Sequence, residues 1–383
     1  MIDLLDISEG NDKSYHVQSL FDGNALKNKI WYRGDPHELC QLYNQVQSDN
    51  ASFWSDVCQT KEPVRRIHTG LPALIIDRLT DITVSSMGDI VVNHRQDIVD
   101  AIVHENNMKQ LMKSMVSDVL YIGDGAMKIS IDTAISQYPI LEWYPGDRVL
   151  YVYKRGRLQE VIFKNSYNYK NKHYLHLEHF GFGYIKNALI SVDKNINVPL
   201  ATIPELAKVR NYQFAGYTED KYGNPITKGN YIMAIPVKFK QSSIYEGRGE
   251  SVFDKRISSF DALDEIASRW INSLRVHNLT GDNLDVTQAF ITPSSYSQSY
   301  MFFLDACLAG LISPESLGLY QSNNFKWDKE KTTMETRKKI ITILSDVVYS
   351  IIKTSMHVYC DLNHQIMNND IKINVNFEKY DTY

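Results

Sequence analysis

Residues 173–179 read His-Tyr-Leu-His-Leu-Glu-His, three histidines and a glutamate within seven positions. Imidazole and carboxylate are the ligands of zinc and of hydrolytic metal centres, so the stretch invites a metal-dependent nuclease or phosphoesterase built on a His173–His179 hairpin. Its spacing argues otherwise. On a strand, His176 and Glu178 face one way and His173 and His179 the other. The HExxH pattern is missing, and Leu175 stands where HxxEH needs its first histidine. Solvated strand histidines are the expectation.

A second stretch with possible chemistry is Gly247-Arg248-Gly249. It is not a phosphate loop: GxxxxGK[ST] is absent, as is GxGxxG behind a strand. The glycines are expected to let the chain leave a loop and enter a helix. Asp261, Asp264 and Glu265 follow, mixed with Lys255, Arg256 and Arg269, as a polar helix face that is solvated or turned toward another subunit. No GxSxG occurs and no cysteine has a histidine in a suggestive setting. The expectation is no catalytic residue, no metal and no cofactor, hence no enzyme. The Arg33-Gly34-Asp35 tripeptide is short enough to arise by chance.

The elements around these residues are partly legible. Asp35, Pro36 and Glu38 mark a helix start, continued at Leu39, Leu42, Tyr43 and Val46. Residues 67–83 read as a helix with Leu71, Leu74, Ile75 and Leu79 on one face. A helix through Leu111, Met115 and Val119 breaks at Gly123-Asp124-Gly125 and becomes a strand through Met127, Ile129 and Ile131. Residues 138–240 alternate as strands, with turns at Pro145-Gly146 and Arg155-Gly156. An apolar stripe at a period of 3.6 then runs from Phe253 to Leu274, within a helix expected from about Ser251 to Val276 and roughly 38 Å long. A compact apolar helix, 299–312, ends at Ser313-Pro314. Thr332 and Glu335 form a capping box for a second long helix reaching Cys360. Ile371, Ile373, Val375 and Phe377 close the chain as a strand.

With 41 basic against 45 acidic residues, the net charge of −4 excludes a protein that grips nucleic acid through a strongly basic surface. It permits one that surrounds nucleic acid without holding it. Four scattered cysteines, Cys40, Cys58, Cys307 and Cys360, fit a reducing compartment. No signal peptide and no membrane span is expected.

Seven stretches in order carry a likeness: 31–39 (WYRGDPHEL); 67–82; 121–132 with 138–163; 245–270; 303–319; 330–344; and 373–383. Together the chain resembles the portal proteins of tailed bacteriophages, in particular those of phages of Gram-positive bacteria. The resemblance implies an α+β portal-type fold assembling as a ring, usually of twelve subunits, at one capsid vertex. Double-stranded DNA passes through the channel during packaging and ejection. It implies a wing over 1–240, a stem helix over 241–276, a clip over 277–298, a return stem helix over 299–316, a channel loop over 317–331, and a long wing helix with the closing strand over 332–383. The expected partners are further copies of the chain, double-stranded DNA, the major capsid and scaffolding proteins, a terminase ATPase and a head–tail adaptor. The expected place is the virion, after assembly in the host cytoplasm. The clip is expected to be reduced or incomplete beside the family's, and the helical crown short or absent.

In that frame Lys326, Trp327, Lys329 and Lys331 are candidates to face DNA in the channel. Lys255, Arg256, Asp261, Asp264, Glu265, Arg269 and Trp270 are candidates for contacts between subunits along the stem. A near-neutral or acidic ring suits a conduit, because each neutralised phosphate releases counterions and strengthens binding.

Overall fold

A computed structural model describes residues 12–46, 52–56, 64–214, 216–221, 225–280, 293–319, 326–367 and 370–378. The chain is mixed α+β and divides into two compact units.

The first unit takes in residues 1–23, 84–250 and 341–383. Its smaller sheet has three antiparallel strands in the order β12-β2-β3, with β2 at Asp124–Ser130, β3 at Ile140–Pro145 and β12 at Ala234–Lys238. Asp124 to Ile129 of the middle strand β2 are all buried, as a strand covered on both faces requires. Helix α5 (Met108–Ile122) packs on this sheet with Met112, Met115, Val116 and Val119. Gly123 ends the helix at a φ of 114°, which a side chain would resist. Helix α4 (Gln96–Glu105) precedes it.

The larger sheet runs β4-β5-β6-β7-β8: Val149–Lys154, Arg157–Tyr169, Lys172–Gly181, Tyr184–Ser191 and Ile196–Val198. A short β9 (Tyr212–Gln213) also pairs with β7. Arg155 and Gly156 both have positive φ, the mirror-image turn that suits a tight hairpin. Phe163 and Phe180 meet edge to face at 5.1 Å on one side of the sheet. Ile162, Leu177 and Ile190 form an apolar cluster on the other. The closing strand β13 (Ile373–Phe377) pairs antiparallel with β1 (Met87–Val92). The alternation expected at Ile373, Val375 and Phe377 is present, each half-buried between exposed asparagines.

The second unit comprises residues 24–83 and 251–340. Its core gathers Trp31, Leu39, Leu42, Trp54, Ile75, Leu79, Phe260 and Leu263. Helix α1 spans Asp12–Arg33, and nothing in its weakly patterned sequence marked it as a helix. Asp35 caps α2 (Pro36–Gln41) as expected, accepting from the backbone N–H groups of His37 and Glu38. The helix then widens to a π-turn over Leu42–Val46 instead of continuing regularly. In α3 (Leu71–Val84), Leu71, Ile75 and Leu79 are buried but Leu74 is exposed; Ile76 takes its place on the inner face.

Several helix boundaries differ from expectation; α3, expected from residue 67, begins at Leu71. The first long helix, α6, runs Ile257–Thr280, not from Ser251. Residues 251–256 form turns because Asp254 is committed to Asn24 Nδ2, Asn28 Nδ2 and the Ser251 N–H. Helix α7 spans Pro293–Leu308, starting earlier than the apolar run. Helix α8 spans Lys326–Leu362, about 55 Å, so Thr332 lies inside it and not at its start.

Candidate functional site

Helix α6 carries most of the proposed stem residues. Asp264 is fully buried. Its carboxylate takes the His68 Nδ1–H at 2.7 Å and both the N–H and hydroxyl of Thr69 at 2.9 Å. Asp261 accepts from Ser52 Oγ at 2.8 Å and the Phe53 N–H at 3.0 Å. Burial pushes the Asp261 carboxyl up to about 6, with the nearby Asp264 and Glu265 adding to the push and its two hydrogen bonds opposing it. One turn further, Ser268 Oγ accepts the Ile67 N–H at 2.9 Å. Three successive turns of α6 therefore hold segments 52–56 and 64–69 of the same chain. The expectation of a solvated face at Asp261 and Asp264 is corrected by this geometry: the acids answer backbone donors that the N-terminal segments would otherwise bury unpaired.

The other stem candidates divide. Arg256 donates to Val252 O and to Ala309 O, tying the turn before α6 to the end of α7. Trp270 lies parallel to Tyr296 at 6.4 Å and near Tyr300, so α6 and α7 run antiparallel. Glu265 and Arg269 pair with each other along the helix at 2.7 Å, both part-exposed. Lys255 lies in the turn before α6 and is exposed. Beside them Ile271, Leu274 and Phe302 expose apolar surface.

Gly247-Arg248-Gly249 has become a buried knot in the first unit. Arg248 is 3 % exposed. Its guanidinium pairs with Asp124 at 2.8 Å, donates to Gly146 O and Val149 O, and lies 3.8 Å over the Phe21 ring. Asp124 also accepts the Gly249 N–H at 2.7 Å. Burial pushes the Asp124 carboxyl up, while Arg248 and the Gly249 N–H pull it back. A phosphate has no opening here: Asp124 already occupies the place an anion would take. The glycine-flanked Asp124 was visible in the sequence as a helix-to-strand break, without any sign that Arg248 would find it.

The histidine hairpin also changes character. His176 and Glu178 do share a face, and His179 lies on the opposite one beside Glu160 at 3.3 Å. His173 is exposed and meets Asn168. His176, however, is 2 % exposed, so the expectation of solvated histidines fails there. Its Nε2 meets Asn187 Oδ1 at 3.1 Å, and its Nδ1 stands 3.6 Å from Glu178, without a hydrogen-bond partner. Burial holds its pKa below the ordinary value. Glu178 is itself committed to Lys128 at 2.7 Å and to Asn165 at 3.0 Å. Lys128 also reaches Glu142 at 3.1 Å. Burial alone would lower its pKa; the two carboxylates carry it above the usual lysine range. Lys128 was not singled out by its sequence neighbours, because its partners come from β3 and β6. Among the described residues no group of three or more His, Cys, Asp or Glu side chains is placed to hold a metal ion.

The channel candidates Lys326, Trp327 and Lys329 fall in the first turn of α8, not in a loop, and their side chains lie outside the described residues. Lys331 is exposed on the same helix. The expected clip, 277–298, falls largely on 281–292, outside the described residues. No described helix is long and apolar enough to cross a membrane. No protein-family model matches the chain, and no curated protein matches it.

Proposed function

We propose that the chain is a portal subunit: a non-catalytic ring component at one vertex of a tailed-phage capsid, through which double-stranded DNA is packaged and ejected. The observation that carries this reading is the order of the helices. An antiparallel pair, α6 and α7, encloses a short connection, and a helix of 37 residues and a closing strand follow. That is the order of stem, clip, return stem, long helix and strand that the sequence resemblance calls for. The net charge of −4 supports it, since a conduit must not hold what passes through. Twelve copies would form the ring; the terminase, the head–tail adaptor and the capsid and scaffolding proteins would dock on it.

With Asp261, Asp264, Arg256 and Trp270 engaged inside the chain, the residues of the stem at the surface to meet a neighbour include Lys255, Glu265, Arg269, Ile271 and Leu274, with Phe302 from α7. The test is native mass spectrometry with negative-stain microscopy of the purified chain. Twelve copies of 44.1 kDa give a ring of about 530 kDa with an axial hole in top views. A species that remains at 44.1 kDa across concentrations and salt, without rings, overturns the reading.

A further inference from the structure

Three carboxylates lie within five residues of α6, but they are not equally compensated. Asp264 has the His68 imidazole at 2.7 Å, and Glu265 has the Arg269 guanidinium at 2.7 Å. Asp261 has two neutral donors, the Ser52 hydroxyl and the Phe53 N–H. Its neighbours in charge are Asp264 three residues on and Glu265 four residues on, both of its own sign and on its own side of the helix. From the packed segment, Arg66 stands over the Phe53 ring at 5.7 Å, spending its donors on Ser55 O, Cys40 Sγ and Asp56. His68 is turned to Asp264. The ionised Asp261 carboxylate thus sits part-buried without a cation of its own.

Its partner tolerates either protonation state. Ser52 Oγ donates to Asp261 and accepts the Trp54 N–H at 3.2 Å. A hydroxyl rotates freely, so a protonated Asp261 can donate to the same oxygen while its carbonyl oxygen keeps the Phe53 N–H. Protonation removes the like-charge repulsion and loses neither contact.

We infer that Asp261, Ser52 and Phe53 form a proton-operated latch that fastens segment 52–56 to helix α6, tight when Asp261 is protonated and loosened when it ionises beside Asp264 and Glu265. The other two fastenings, Asp264 with His68 and Thr69 and Ser268 with Ile67, hold segment 64–69 independently of this carboxyl. The latch is therefore local: segment 52–56 responds to protons while segment 64–69 stays fixed. It stands apart from the portal reading, since every group in it belongs to a single chain.

The sign follows from linkage. A carboxyl whose value is raised in the closed form favours closure most below its open-state value of 3.8, and that contribution is lost as pH rises through about 6. The closed-to-open ratio of the latch is expected to fall by up to about a hundredfold between pH 4 and pH 8.

Hydrogen exchange with mass spectrometry on the full chain, corrected for the intrinsic pH dependence of exchange, reads this at peptides covering 52–56. Wild type should lose protection there as pH rises from about 4 to about 6, with the midpoint of the logarithmic change near 5, while peptides covering 64–69 hold theirs. Asp261→Asn, which keeps an acceptor for Phe53 and cannot ionise, should be flat over the same range. Glu265→Gln, which removes one repelling charge and leaves the latch intact, should move the midpoint to lower pH. A pH-independent wild type, an Asp261→Asn chain that responds like wild type, or a Glu265→Gln midpoint that does not move each overturns the latch. The Glu265→Gln and wild-type profiles decide the matter if Asp261→Asn does not fold.

Discussion

At the scale of single residues, charged side chains do structural work in places that look chemical in the sequence. Arg248 is the clearest case. One guanidinium closes an ion pair with Asp124, satisfies two buried carbonyls and covers an aromatic face. Planarity and five donors make this possible; a lysine offers a single ammonium with no flat face. Arg248→Lys is expected to lower stability by about 2–4 kcal/mol, close to the cost of breaking a buried pair outright, measured as a shift of the urea midpoint. A shift under about 0.5 kcal/mol would mean that the knot is dispensable. His176 makes the same point from the other side: its partner is an amide, and burial disfavours its charged form.

Elements are fixed by close approaches that only particular residues permit. A Cβ on Gly249 would sit 2.1 Å from Gly123 O, so the strand-like segment bearing Arg248 can lie against the α5–β2 junction only without a side chain there. Gly249→Ala is expected to cost about 3 kcal/mol, because backbone must move. Gly23, inside α1, has open space around its Cβ position, and Gly23→Ala should gain up to about 1 kcal/mol through helix propensity. Thermal melts of the two variants should move in opposite directions; a shared direction would contradict the packing described. Helix α6 follows the same logic through polar groups. Its anchors at 261, 264 and 268 recur every three to four residues, so one face of the helix meets the backbone donors of the N-terminal segments in succession.

For the whole molecule, the prediction concerns assembly. The α6–α7 pair leaves Leu274 46 % and Phe302 68 % exposed, an apolar surface that a monomer gains nothing by displaying. Leu274→Asp combined with Phe302→Asp should leave the far-ultraviolet circular dichroism and the melting temperature of the chain near wild type. On the portal reading proposed above, the same change should replace the ring with species of one or a few chains in native mass spectrometry. Full-size rings from the double variant would place the subunit contact elsewhere.

The sequence by itself determined the elements whose signals are local and repeated. Turn residues marked Arg155-Gly156, alternation marked the β6–β7 hairpin and the closing strand, and the 3.6-residue stripe marked α6. The cap at Asp35 is complete within four residues, and so it was legible. Tertiary structure alone decided what the polar residues do. Arg248 and Asp124 are 124 positions apart, His68 and Asp264 are 196 apart, and Lys128 bridges two sheets. A charge in the sequence looks the same whether it will be solvated or buried, because the difference lies in desolvation, and desolvation depends on which distant segments close over it.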